Sequence, residues 1–320
     1  MQRFSRTAFP FNAAACARYA SLACIATAML FAPAYAQDAS APSSTAAPAA
    51  SSSAPTASEG SVDITQVAGL PVDQQVEWLM HAAQAGDLEK LSDTQLVSLF
   101  ESLSPDTLPK YLRLGAAHYH EYEFQTFSQQ RIKGVWQTQA AHMYVRYRQD
   151  PRQVYVKWLP DGRNAGQEMI YDEQKNPKEL YAHQGGAFGF VSIWTPIDSG
   201  RAMAQSNHTV RELSVGYVTD LYLSELKKFK AVGVDKPTKV EAMEDHGVRV
   251  IAFTWETPTG QPDYYAKKIR LGLDLRHPFF HSSEAWDNDG QLFEKFTFTD
   301  VTPKHFDALT FDPKNPDYKF

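Results

Sequence analysis

The hydrophobic rhythm of the chain changes near residue 118. Before it, apolar positions recur at helical spacing. Val72, Val76, Leu79, Met80 and Ala83 share one face, which predicts a helix over 72–85 with Gly86 as its stop. Ser92 suits the N-cap of a second helix carrying Leu96, Val97, Phe100 and Leu103, and "SPDTLPKYLRL" starts a third. From His118 onward the period is two. "AAHMYVRYR" sets Met143, Val145 and Tyr147 against His142, Tyr144, Arg146 and Arg148. "VYVKWL" sets Val154, Val156 and Trp158 against Tyr155, Lys157 and Leu159. Further runs follow at "QEMIYD", "ELYAH" and "FGFVSIW", parted by turn stretches such as "PDGRNAG" and "QKNPK". Short strands in unbroken succession pair antiparallel through hairpins.

One helix interrupts them. In "HTVRELSVGYVTDLYLSELKKFK", Val210, Leu213, Tyr217, Leu221 and Phe229 line one side, with Val218, Tyr222 and Leu226 beside them. A stripe this wide can lie fully against a sheet. Strands resume with "VRVIAFTW", "YYAKKIRLGL", "FFHSSEAWD" and "LFEKFTFTDV", the last two joined by an "NDG" turn. The order predicts an α+β protein, one curved antiparallel sheet with helices on one face. The last strand carries Leu292, Phe296 and Phe298 on one side and Thr297 and Thr299 on the other. The tail "FDPKNPDYKF" cannot extend the sheet, because Pro313 and Pro316 lack backbone donors. Phe311, Tyr318 and Phe320 are expected to fold back as a plug over the sheet edge or a core opening.

Composition adds the compartment. Arg3, Arg6 and Arg18 lie in a polar, basic start, Tyr19 to Ala32 is uncharged and apolar, and "APAYAQ" follows. This reads as a secretory signal peptide cut after Ala36, for a periplasmic protein. A membrane anchor is the alternative, but the run of 14 residues falls short of the ~20 a span needs. Both cysteines, Cys16 and Cys24, lie inside that segment, and "SLAC" is a poor match to a lipidation box. The mature chain is then free of disulfides and thiolate sites. Losing the three arginines moves the net charge from −6 to −9. An acidic chain without a basic run argues against nucleic-acid partners and anionic membrane surfaces. Residues 37–60, nearly all Ala, Ser, Pro and Thr, read as a disordered linker.

Several stretches are similar to one bacterial family, the domain of unknown function 1571. They are "QQRIKG", "DPRQVYVKWLPDGRNAGQEMIYDEQKN", "ELYAHQGG", "AMAQSNHTVRELSVG" and "FTFTDVTPKHFDALTFDPKNPDYKF", spread from about Leu112 to Phe320. The resemblance implies the fold of the periplasmic lipoprotein-localisation carriers (LolA-like), an incomplete antiparallel β-barrel with helices in its concave face. The family has no settled activity, so no catalytic residues carry over. Its usual acidic residue before the arginine of "QQRIKG" is Gln130 here. The expected organisation is a signal peptide (1–36), a linker (37–60), a helical segment (61–111) and a half-barrel domain (112–320).

Candidate chemistry is sparse. "HYHEYEF" comes near a zinc-protease motif, but Phe124 stands where the second histidine belongs, and alternation predicts a strand. On that strand His118 and His120 would share a face, without a third ligand nearby. "HPFFHSSE" has the spacing of helical metal ligands at His277, His281 and Glu284, yet Pro278 and the "FF" pair predict a turn into a strand. Asp245–His246 beside Gly247 reads as a hairpin turn. No nucleophile elbow or phosphate loop is present, so neither a catalytic residue, a metal nor a cofactor is expected. The aromatic content, 12%, with Trp136, Trp158, Trp194, Trp255 and Trp286 on separate strands, is the better clue. A half-open barrel has a concave face too large for its helices to fill. Met143, Val145, Val156, Trp158, Phe190, Val250 and Phe296 are the residues expected to line it. The leading expectation is a non-catalytic protein binding a lipid, an acyl chain or another apolar ligand there. An envelope protein partner in the same groove is the second, and a hydrolase built on His118, His120, His142 and an acid is the third.

Overall fold

A computed structural model describes residues 64–186, 191–261 and 263–320. The expected signal peptide and linker lie outside the described residues. Five helices come first: α1 (Ile64–Ala68), α2 (Val72–Ala85), α3 (Asp87–Lys90), α4 (Asp93–Ser102) and α5 (Thr107–Ala116). Strands β1 (Glu121–Ile132), β2 (Val135–Trp136), β3 (Ala141–Arg148), β4 (Gln153–Trp158), β5 (Glu168–Asp172), β6 (Glu179–His183) and β7 (Ser192–Pro196) follow. After α6 (Val215–Ala231) come β8 (Lys239–Asp245), β9 (Val248–Glu256), β10 (Lys268–Asp274), β11 (Phe280–Trp286) and β12 (Leu292–Pro303).

Local sequence sets most of these boundaries. Gly86 ends α2 in the left-handed region at φ 70°, its N–H reaching the carbonyls of Ala82 and Ala83. Ser92 starts α4 with a capping box, its hydroxyl accepting from the Gln95 amide while the Gln95 side chain accepts from the Ser92 amide. The expectation for His118 and His120 changes, because β1 begins at Glu121. The two histidines precede the strand, both on its exposed approach, and share no strand face.

The strands form a 12-stranded antiparallel sheet in the order β7-β6-β5-β4-β3-β1-β12-β11-β10-β9-β8, with β2 paired to β1 alone. The first and last long strands meet in its middle, Thr126 opposite Phe298. Edges β7 and β8 do not pair with each other, so the sheet curls without closing. This is the α+β architecture that the alternating pattern and the family resemblance imply.

Helices and the inner face of the sheet share one core. Leu79, Leu96, Leu99 and Leu112 pack with Val145, Val156, Phe253 and Phe280. The aromatic ring of Phe100 meets that of Phe253 edge-on at 5.6 Å. The buried stripe of α6 is Val215, Val218, Tyr222, Leu226 and Phe229. Leu221, expected within the stripe, is only half-buried at its margin, a rotation that the wide apolar pattern could not resolve.

The tail goes to the outer face instead of an edge or opening. Tyr318 stacks on Tyr155 of β4 with centroids 4.0 Å apart, and Phe320 meets Tyr181 of β6 at 5.4 Å. With Ile170, Phe306 and Phe311 they make a second, smaller apolar cluster. The Lys319 amide donates to Glu168 at 3.1 Å and the Tyr318 hydroxyl to the Thr310 carbonyl at 2.6 Å.

Candidate functional site

The inward face of β1 changes character along its length. Tyr122 and Phe124 come first, then Thr126, Ser128 and Gln130, all buried. Ser128 stands opposite Ala141 of β3 and Phe296 of β12. Where inward side chains are this short, the sheet and its cover do not meet, and a cavity of about 380 Å³ remains. Its apolar walls include Met143, Trp158, Met169, Leu180, Ile193 and Phe296. The segment from Arg201 to Val218, which leads into the first turn of α6, forms the roof. The volume lies within the ~300–1,000 Å³ typical of small-molecule sites.

The expected lining residues separate into groups. Met143, Trp158 and Phe296 line the cavity. Val145 and Val156 occupy the same face with no exposure, in the packed core beyond it. Val250 needs correcting: it points to the outer face, against Gly272, while Ile251, Phe253 and Trp255 point inward. From Val250 to Trp255 both alternating sets of "VRVIAFTW" are buried and mostly apolar, so alternation alone could not choose between them. Phe190 lies outside the described residues.

A family model described as "Protein of unknown function (DUF1571)" matches residues 119–320. The chain belongs to the DUF1571 family. No curated protein matches it. Among solved structures, an uncharacterised conserved protein from Thermus thermophilus is similar at 10% identity and TM-score 0.36, covering 65% of this chain and 93% of that one. A putative outer membrane lipoprotein-sorting protein domain from Vibrio parahaemolyticus gives 10% identity and TM-score 0.32, covering 65% and 97%. The Pseudomonas aeruginosa MucA/MucB complex gives 16% identity and TM-score 0.34, covering 63% of this chain and 58% of that chain. Likenesses this slight carry no functional inference.

The roof of the cavity in this DUF1571 chain is fastened by polar residues, of which the sequence singled out Gln130 alone. Gln130, where the family usually has an acid, accepts from the Asn207 amide at 2.6 Å, and its amide group reaches Ser128 and Ser206. An amide both donates and accepts here, which a carboxylate cannot do. Next to it, His208 sits between two carboxylates. Its Nε2 lies 2.5 Å from Glu294 and its Nδ1 3.0 Å from Glu212. Tyr265 donates its hydroxyl to the other oxygen of Glu294 at 2.6 Å. Burial opposes a charged imidazole, but the hydrogen bonds to Glu212 and Glu294 and their charges outweigh it, so the His208 pKa rises to about 9. Both ring nitrogens then donate, leaving no lone pair for a metal. The available signals were Glu294 among the inward aromatics of "LFEKFTF" and the i,i+4 pair His208–Glu212.

The histidines of the hydrolase expectation do not gather. His142 lies on the outer face, bonded to Asp161 at 2.8 Å and stacked on Phe127 at 4.1 Å. Along β1 it stands opposite Phe127, about 20 Å of strand from Glu121, which follows His120. Asp245 does sit at the hairpin turn, with His246 and Gly247 at positive φ. It is also buried, accepting from Thr297 at 2.6 Å and Lys295 at 3.1 Å. Among the described residues no group of three or more His, Cys, Asp or Glu is arranged to hold a metal, and no helix is long and apolar enough to cross a membrane.

Proposed function

We propose that this protein is an exported, non-catalytic carrier that binds an apolar or amphipathic molecule, such as a lipid or acyl chain, within the concave face of its half-barrel. The observation that supports this reading is the cavity of about 380 Å³ walled by Met143, Trp158, Met169, Leu180, Ile193 and Phe296. Packed interiors leave few voids larger than a water molecule. An apolar void of this size favours an apolar occupant, since water gains few hydrogen bonds there. The signal peptide expected over 1–36 would deliver the protein to the periplasm, where such molecules need a carrier through water.

The test is direct. Protein purified from the periplasm is analysed by native mass spectrometry for co-purifying lipid, and a neutral fluorescent probe such as Nile red is titrated into stripped protein. Ala182→Phe places a ring into the cavity from β6, where Ala182 is one of the short lining residues. Probe binding should fall at least tenfold while melting stays near wild type, because the ring enters space that is not packed. Absence of lipid together with identical probe binding by both proteins would refute the carrier reading.

One observation favours a second reading. Edge strand β7 carries Trp194, 53% exposed on the outer face beside Tyr181, and half-exposed Val191 precedes the strand at the cavity mouth. An extended segment of an envelope protein could add to that edge. Protein capture that survives Ala182→Phe but is lost in Trp194→Glu would support it.

A further inference from the structure

The polar groups around the cavity are of two kinds. Most are satisfied by the protein itself. Gln130 fastens the roof, and His208 is held by Glu212 and Glu294. Glu168 accepts from the Lys319 amide through one oxygen, while the other makes no hydrogen bond and faces Lys157 at 4.0 Å. Two donors are different. Arg163 and Asn164 line the cavity, and their buried Nε and Nδ2 atoms have no hydrogen-bond partner among the described residues. The guanidinium reaches only the Gln205 carbonyl, at 3.5 Å, and no described carboxylate forms an ion pair with it. Arg201, the other cation on the rim, is exposed. Glu212 and Glu294 share the His208 cation and Glu168 faces Lys157, which leaves Arg163 as the cavity cation that pairs with no described carboxylate.

The backbone holds these donors in place. Arg163 and Asn164 lie on the loop between β4 and β5. The Arg163 amide donates to the Ala140 carbonyl at 2.8 Å. A Cβ on Gly162 would stand 2.3 Å from the His142 amide nitrogen, so only glycine allows that approach. On the other side, a Cβ on Gly185 would lie 2.2 Å from the Ala165 carbonyl, which brings the β6–β7 connection against the same loop. Asn164 takes the left-handed conformation at φ 66°, which directs its side chain away from the course of an ordinary turn. A loop pinned by two such contacts presents its side chains with little entropy left to lose on binding. Burial also depresses the pKa of Arg163, as expected for a cation without a nearby anion.

We infer that the cavity takes a single-chain amphiphile with an anionic head group, whose charged oxygens are bound by Arg163 and Asn164 while its chain lies along the wall of Met143, Trp158, Met169 and Phe296. This rests on the carrier reading above and narrows it. A volume of about 380 Å³ is some two and a half times the ~150 Å³ cavity that admits one benzene, which suits one chain better than two. Carboxylate and phosphate head groups share the recognising chemistry, since the guanidinium fork fits both.

Competition against Nile red tests this on the full mature protein. Palmitate, its uncharged methyl ester and a lysophosphatidylglycerol are the competitors. Palmitate, the lysolipid or both should displace the probe roughly ten- to a hundredfold more tightly than the ester, the range for hydrogen bonds to a charged group. Whichever competes better identifies the head group. Arg163→Met keeps the stem of the side chain and should abolish the preference, weakening the charged competitors far more than the ester. Asn164→Gly, which suits the positive φ, should reduce it by a smaller factor. Without ligand, Arg163→Met should melt no lower than wild type, because it breaks no ion pair. Equal competition by acid, lysolipid and ester in wild type would overturn this inference and leave the carrier reading standing. Failure of all three to displace the probe would count against both.

Discussion

The two halves of the sheet solve the problem of covering their faces in opposite ways. On β8–β11 the inner face is filled, with Phe253, Trp255, Leu271 and Phe280 under the helices. Its outer face has no second layer among the described residues. It carries instead a lattice of charged pairs in which Lys295 contacts both Asp245 and Glu284, while Arg270 contacts Glu284. On β3–β6 the outer face is capped by the C-terminal tail, and the inner face is left partly unfilled. The difference teaches where binding capacity can arise. α6 meets β11, α4 meets β8, and α1, α2 and α5 pack among the helices, so the helical mass sits over one half. Over the cavity end of the other half the cover is the thin segment before α6 and that helix's first turn. The cavity is the space that arrangement cannot fill.

The largest effect should come from the filled half. Tyr222 of α6 is buried against Trp255 and Phe280, at 6.2 and 5.3 Å between rings. Tyr222→Asp puts an unpaired carboxylate there, which costs several kcal/mol and should remove most of the folded protein at moderate denaturant. Leu221→Asp, one position round the helix and half-buried, should cost far less. Equal losses for the two variants in urea titration would mean that α6 is turned the wrong way.

The tail comes next. Removing Asp312 to Phe320 strips Tyr318 from Tyr155 and Phe320 from Tyr181, and leaves Ile170 and Phe311 exposed. Full burial of one such ring is worth about 1.5–3 kcal/mol, and these two are only partly buried, so a loss of a few kcal/mol is expected. Melting should fall by several degrees and binding of an apolar dye should rise. Unchanged melting would show that the outer-face cluster is not part of the cooperative fold, and that the two halves differ less than their packing suggests.

The smallest effect concerns the roof. His208 has its pKa raised from an ordinary 6.5 to about 9, so the charged form stabilises the fold. That contribution is complete below pH 6.5 and is lost as pH rises through about 9. Melting should be level on the acid side of this window and fall by a few degrees across it. In the double variant His208→Gln, Glu294→Gln the hydrogen-bonding shape remains without the charges, and the slope should vanish. A slope that persists would place its origin in another group.

Much of the fold was legible because it depends on local chemistry. The alternation of "AAHMYVRYR" assigns Met143 and Val145 inward and Arg146 and Arg148 outward without reference to any neighbour. Gly86 stops α2 because the left-handed conformation costs glycine little, and Ser92 starts α4 because its hydroxyl and Gln95 satisfy free amides. These are properties of a few consecutive residues. Where both faces of a strand are apolar, as in "VRVIAFTW", the same reasoning has nothing to act on, and Val250 went to the wrong side.

The tail shows the boundary between the two kinds of information. Pro313 and Pro316 by themselves forbid another strand, so the sequence determined that the chain must leave the sheet. Its destination depended on which strand neighbours put Tyr155, Ile170 and Tyr181 side by side on the outer face. The cavity belongs to the tertiary structure for the same reason. It requires Ser128, Ala141 and Ala182, short residues from β1, β3 and β6, to fall at one end of the barrel under a roof contributed by 201–218. His208, Glu212, Tyr265 and Glu294 likewise meet only after the sheet has curled. Spacing along a chain fixes which face a residue takes within its own element, whereas burial, ion pairing and empty volume depend on elements far apart in sequence being brought together.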